Sequence, residues 1–269
     1  MVDPVLGRFH KPQSLAALTR GRGWNSELVG FLLPFARQDY IYQEYDFLES
    51  AITEGINKDW TVDNSSGTGA ANFATTANHQ NGVITGDTGT DDNGGIVLHK
   101  DAIDTDAATN PGIHIIMQID DVSEAAMEVG YSDARSTETT LAVTDIDTPT
   151  LGNGVTDGAF IVYDTDSDTP KGVNLVSGGA TDGDGGVALG TDAAANPLED
   201  ATDFDLVLQV FANGAYGIVN HNLSNSGGLS VGPDAATLMR PSIVVMTRNG
   251  TAKFPAIDLI RLWRERLRQ

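Results

Sequence analysis

The sequence predicts an all-β chain, folded as an antiparallel sandwich or barrel. Three observations lead there. Glycine is abundant, at 30 of 269 residues, and Asp, Asn and Thr crowd around it, which favours turns over helices. Short β-branched and aromatic runs recur at close spacing between those turns. Where a run is long enough, it alternates: Phe204, Leu206, Leu208 and Val210 fall on one face of a strand. Ile243-Val244-Val245 is apolar without a break, as in a strand covered on both sides. The length suits one large β domain or two smaller ones.

Residues 1–42 read as a separate arm. Ser14 caps a short helical stretch after Pro12, and Gly21 and Gly23 end it. The apolar run Val29–Ala36 is far too short to span a membrane. Arg8, Lys11, Arg20, Arg22 and Arg37 make the arm basic. Such a segment either docks on another protein or packs on its own domain.

From residue 43 to 269 the pattern is one β domain. Strands are expected at Glu44–Leu48, Trp60–Asp63, Ala71–Thr75, Gly82–Thr85, Gly95–His99, Gly112–Ile119 and Ala126–Tyr131. Further strands are expected at Ala159–Tyr163, Gly172–Val176, Phe204–Phe211, Tyr216–His221, Ser242–Met246 and Ala256–Trp263. The stretches 132–157 and 177–203 are rich in Asp, Thr and Gly and read as long exposed loops. Arg264–Gln269 reads as a basic tail, in which Arg264, Arg266 and Arg268 join Arg261 as docking charges. Pro255 also permits a helix over 257–268.

Charge is unevenly spread. Between Asp59 and Met239 there are 28 acidic residues and three basic ones, Lys100, Arg135 and Lys171. The two ends hold the other 13 basic residues beside nine acids, within a total of −21. The acids are 28 Asp and nine Glu; the bases are 11 Arg and five Lys. An Asp-rich, Lys-poor body suits molar salt, where the Debye length falls to about 3 Å and self-repulsion is screened. The alternative is an ordinary acidic β protein kept soluble by its charge. An anionic body disfavours nucleic acid.

Other classes are excluded by what is missing from the sequence. There is no cysteine, hence no disulfide framework. Met1-Val2-Asp3-Pro4 does not resemble a signal peptide, so synthesis in a cytoplasm without membrane insertion is expected. No Walker loop, Rossmann fingerprint or G-x-S-x-G occurs. His10, His79, His99, His114 and His221 are scattered, with no metal-type spacing.

The order of features from Tyr45 to Trp263 resembles the concanavalin A-like lectin/glucanase family, the laminin-G-type jelly roll. Lys58-Asp59-Trp60 supplies an isolated early Trp, and Gly82–Gly89 a glycine-rich pair of strands with a Thr-Gly turn. The apolar Ile113–Ile119, then Val129-Gly130-Tyr131-Ser132-Asp133-Ala134, then Asp258-Leu259-Ile260-Arg261-Leu262-Trp263 follow in the family's order. Within that fold the chain looks most like sandwich domains in structural proteins of tailed viruses. With the Asp-rich composition, this implies a virus of a halophilic archaeon. The implied role is a non-enzymatic virion protein, a vertex turret or capsid decoration, made in the host cytoplasm. It would dock by its termini, repeat around a symmetry axis with copies of itself, and contact other virion proteins. The alternative is a tail or receptor-binding module reading host surface glycans.

Two groups of acids invite chemistry. Glu44, Asp46 and Glu49 match the E-x-D-x-x-E spacing of some β-glucanases of the fold, whose retaining mechanism needs carboxylates about 5 Å apart. On a regular strand Glu49 leaves the face that Glu44 and Asp46 share, and only three Trp are present to stack on sugars. Asp164, Asp166 and Asp168, with Asp182 and Asp184, resemble a weak site for Ca²⁺ or another cation. Thr169 replaces the glycine of an EF-hand loop, and the terminal glutamate is missing, so a surface turn is the plainer reading.

Overall fold

The computed structural model describes residues 40–45, 52–53, 60–64, 72–75, 82–100, 105–134, 140–166, 172–189 and 198–265. Within them the chain forms β1 (Tyr40–Tyr45), β2 (Ile52–Thr53), β3 (Trp60–Asn64), β4 (Asn72–Thr75), β5 (Ile84–Thr85) and β6 (Gly95–Lys100). Next come β7 (Thr105–Asp106), a 3-10 turn at Ala107–Thr109, β8 (Gly112–Ile119), β9 (Ala125–Ser132), β10 (Val143–Asp145), β11 (Thr150–Leu151) and β12 (Gly158–Asp164). The chain ends with β13 (Asn174–Gly179), β14 (Gly183–Ala188), β15 (Phe204–Phe211), β16 (Gly214–Val219), β17 (Asn222–Leu229), β18 (Leu238–Thr247) and β19 (Pro255–Glu265).

Among the described residues these make two large antiparallel sheets. One has nine strands, in the order β17-β16-β15-β8-β19-β5-β4-β2, with β1 also paired to β19. The other has eight, in the order β14-β13-β12-β9-β18-β6-β3, with β7 added on β18. A short β10-β11 ribbon lies apart. The predicted all-β sandwich is therefore present.

The core is the space between the sheets, and the period-2 pattern builds it. Ile113, Ile115, Met117 and Ile119 of β8 face Met127, Val129 and Tyr131 of β9 and Ile243 and Val245 of β18 across it. Tyr131 is buried but not orphaned: its hydroxyl donates to the Gly112 carbonyl of the opposite sheet at 2.8 Å. Burying its ring is worth about 2 kcal/mol, and the hydroxyl would offset much of that without a partner.

β19 breaks the alternation on purpose. Its register on β8 shifts between Ile257 and Leu259, a bulge at Asp258. A regular strand would put Ile257 and Arg261 on the same face. The bulge instead groups Ile257, Ile260 and Leu262 in the core. Arg261 and Trp263 are thereby sent to the outer face.

The structure corrects several expectations. The first described strand starts at Tyr40 rather than at Glu44 and pairs residue for residue with β19 through Tyr45; 46–48 lie outside the described residues. The last strand runs through Glu265, so Arg264 belongs to the sheet and not to a tail, and the helical alternative does not hold. Within 132–157, the described residues 140–157 do not form an exposed loop. Ala142, Val143, Ile146, Leu151 and Val155 pack on Phe160, Val162 and Val176, covering the outer face of the eight-stranded sheet. Buried Glu128 helps hold this cover by accepting from the Val143 amide at 3.0 Å. The stretch 177–203 likewise contains β14 and buries Leu189 and Leu198. The arm's Arg8, Lys11, Arg20, Arg22 and Arg37, and the terminal Arg266 and Arg268, lie outside the described residues.

Candidate functional site

The outer face of the nine-stranded sheet carries two adjacent rows of side chains, fixed by strand register. In the first, Tyr42 on β1 lies beside Trp263 on β19, then Gly112 on β8, Gln209 on β15 and Tyr216 on β16. Gly112 is there for space: a Cβ would come within 2.2 Å of the Trp263 ring. The indole crosses that gap and donates from Nε1 to Gln209 Oε1 at 2.8 Å. Tyr42, Tyr216, Val207 and Ile218 pack around it.

The second row is charged. Glu44 on β1 pairs with Arg261 on β19, which lies opposite His114 on β8. Arg261 Nε donates to Glu44 Oε2 at 2.7 Å, and the Tyr42 hydroxyl donates to the same oxygen. Burial pushes the Glu44 carboxyl up, but the hydrogen bonds from Tyr42 and Arg261 outweigh it and hold the group below its usual range. Burial, then the bond to Glu44, pushes the Tyr42 phenol far above its ordinary value.

At the end of this row three groups converge. His114 Nε2 lies 2.9 Å from Asp205 Oδ2, and His221 Nε2 lies 2.5 Å from the same oxygen. The two rings meet edge to face, with centroids 5.9 Å apart. His114 is placed by the alternation of β8, and Asp205 by β15, one pair along from Val207, which faces His114. His221 is placed by a turn. Asn220 and His221 form the two-residue link between β16 and β17, with φ of 53° and 51°. Both are left-handed, as a type I′ hairpin requires. The Asp205 amide donates to Asn220 Oδ1 at 3.0 Å, and the Asn220 amide donates to the Asp205 carbonyl at 2.7 Å, which locks turn to strand. Burial pushes the Asp205 carboxyl up, but its bonds to His114 and His221 prevail and hold it below the usual carboxylate range.

The sequence alone treated these histidines as scattered; the sheet brings two of them onto one carboxylate. The available signals were the outward position of His114 in Ile113-His114-Ile115 and a histidine where a hairpin turn favours glycine. Of the predicted carboxylate trio, Glu44 is in the charged row, and Asp46 and Glu49 lie outside the described residues. The predicted cation cluster does not assemble as one site. Asp164 ends β12, whereas Asp182 and Asp184 lie at the other end of the same sheet, beyond Gly178, the partner of Gly158. That separation is roughly 20 Å at strand rise. Asp164 is ion-paired with Arg248, and Asp184 accepts from the Leu151 amide at 2.9 Å. Asp168 lies outside the described residues. Of the predicted docking charges, Arg261 is paired with Glu44 and Arg264 reaches Thr105 Oγ1 at 3.4 Å.

No protein-family profile and no curated protein sequence matches the chain. Solved structures do resemble it. Rv0315 of Mycobacterium tuberculosis, described as an immunostimulatory antigen and pseudo β-1,3-glucanase, superposes with a TM-score of 0.52 at 9% identity, over 83% of this chain and 98% of that one. The carbohydrate recognition domain of Emp46p, in a potassium-bound form, gives 0.50 at 10% identity, over 81% and 94%. The fold is a concanavalin A-like sandwich. At such identities the likeness speaks to fold alone.

The depressed Asp205 carboxyl makes a pH prediction. A carboxylate whose folded value is lowered contributes stability above its unfolded value, near 3.8, and loses it as pH falls through the folded value. Asp205→Asn should therefore lower unfolding free energy by about 1–3 kcal/mol at pH 7. The gap between variant and parent should narrow as pH falls below about 4. Denaturant unfolding of both proteins across that range checks it.

Proposed function

We propose that this chain is a non-enzymatic carbohydrate-recognition module that binds through the outer face of its nine-stranded sheet. The observation that carries this reading is the pairing of an aromatic row with a charged row on one face. Sugars are bound by fixed polar groups beside an apolar platform. Arg261 and Glu44 orient each other, and their side chains are 22% and 41% exposed, so the guanidinium can donate and the carboxylate accept outward. Half-buried Tyr42 and Tyr216 supply the apolar edge, packed on the buried Trp263. The carbohydrate recognition domain of Emp46p lends support as a relative in fold. Glu44 fits poorly as a glycosidase's general acid, which needs a raised carboxyl, because it is lowered and ion-paired.

A glycan array probed in molar salt tests this. Binding of a defined glycan class is expected, with Arg261→Ala weakening it about tenfold, the loss of one charge-assisted hydrogen bond. Retention of no glycan at any salt concentration would count against the reading.

A second reading concerns where the module works. The anionic, Asp-rich body suits molar salt, and the motif order that resembles sandwich domains of tailed viruses motivates the proposal of display on a virion of a salt-loving host. Termini would dock on other virion proteins, with copies repeated about a symmetry axis. Mass spectrometry of purified particles should count this chain in a fixed ratio to the major capsid protein; its absence from particles would end that reading.

A further inference from the structure

We infer that His114, Asp205 and His221 form a binding site for a divalent transition-metal ion, with Zn²⁺ as the reference ligand. The three ligand atoms all lie within 4.8 Å of one another. A tetrahedral Zn²⁺ holds nitrogen and oxygen ligands at about 2.0–2.2 Å, which spaces neighbouring ligand atoms about 3.3 Å apart. The observed 2.5 and 2.9 Å contacts are shorter than that spacing, so the ligands would part by less than about 1 Å to admit the ion. Side-chain rotations would suffice to admit the ion.

Two further observations point the same way. Asp205 Oδ1 is buried without a hydrogen-bond partner among the described residues, so this carboxylate has acceptor capacity that the two histidines do not use. His221 occupies a left-handed position at φ 51°, the second place of a type I′ turn, where glycine is favoured. Its ring nonetheless lies on Asp205. A side chain held where its backbone is disfavoured suggests that the ring is needed there.

The donor set defines the class of ion. Two imidazoles and one carboxylate suit Zn²⁺, Co²⁺, Ni²⁺ or Cu²⁺, whereas Ca²⁺ and Mg²⁺ take all-oxygen shells. The neighbouring charges, Glu44 and Arg261, neutralise each other and leave Asp205 as the compensating anion. His114 is almost fully enclosed, while the His221 side chain is 28% exposed. The fourth coordination position therefore opens toward solvent, beside the charged row. The inference stands apart from glycan binding and survives if no sugar binds.

The test is titration of the full, untagged chain with Zn²⁺ after chelator treatment, in molar NaCl with millimolar Mg²⁺ to occupy the acidic surface. One Zn²⁺ per chain is expected. At about a hundredfold excess over Kd, the thermal midpoint should rise by about 5 °C or more. Co²⁺ in place of Zn²⁺ should give visible absorption of a low-coordinate site. His221→Gly should weaken binding by about a hundredfold. In chelator it should still unfold in one cooperative transition, the ease of glycine in the turn offsetting part of the lost contact with Asp205, so loss of the metal cannot be ascribed to misfolding. His114→Gln should also lose binding. No stoichiometric Zn²⁺, undiminished binding in His221→Gly, or equal displacement by Mg²⁺ would each overturn the inference.

Discussion

The structure depends on how its last strand is inserted. β19 lies between β8 on one side and β5 and β1 on the other, so it ties the first described strand to the middle of the nine-stranded sheet. Its bulge at Asp258 decides what each face receives. Ile257, Ile260 and Leu262 close the core, and Arg261 and the buried Trp263 lie on the opposite face of the strand. A one-residue change of register would exchange those sets, placing a guanidinium in the core at a cost of several kcal/mol. Both the fold and the candidate site thus follow from one local irregularity.

The two outer faces then have different fates. The chain covers the eight-stranded sheet with its own segment, from Ala142 to Val155, and seats the buried Glu128 beneath it. On the nine-stranded sheet, an aromatic row and a charged row lie side by side, with Trp263 and His114 buried within them and Glu44 exposed. Most of these side chains are held by one another rather than by solvent: indole to Gln209, guanidinium to Glu44, imidazoles to Asp205. Such mutual fixing is what a preorganised binding surface requires, since little side-chain entropy remains to be lost when a ligand arrives.

Much of this was legible in the residues. β8 and β15 have the bounds that alternation and flanking turns suggest, and the concanavalin A-like order of motifs led to the right sandwich. The segment 132–157 was misread because it is polar on average, while its few apolar residues are spaced to meet Phe160 and Val162, which composition does not reveal. The histidine site was invisible for a related reason. Its members come from β8, β15 and the β16–β17 turn, and only strand register makes them neighbours. The bulge at Asp258 left no mark in Ile257-Asp258-Leu259-Ile260 that distinguishes it from a regular strand. Acidic runs misled in the opposite direction: Asp164 and Asp184 are engaged by Arg248 and by a backbone amide, as clustered surface acids often are.

The central claim is that His114 and His221 both direct Nε2 at one carboxylate. A long-range ¹⁵N–¹H correlation spectrum of the imidazole rings, recorded metal-free near pH 8, tests it most directly. A carboxylate can only accept, so both rings should hold their proton on Nε2, and Asp205→Asn should disturb both sets of signals together. An interconverting mixture of tautomers at His221, unaffected by Asp205→Asn, would contradict the account.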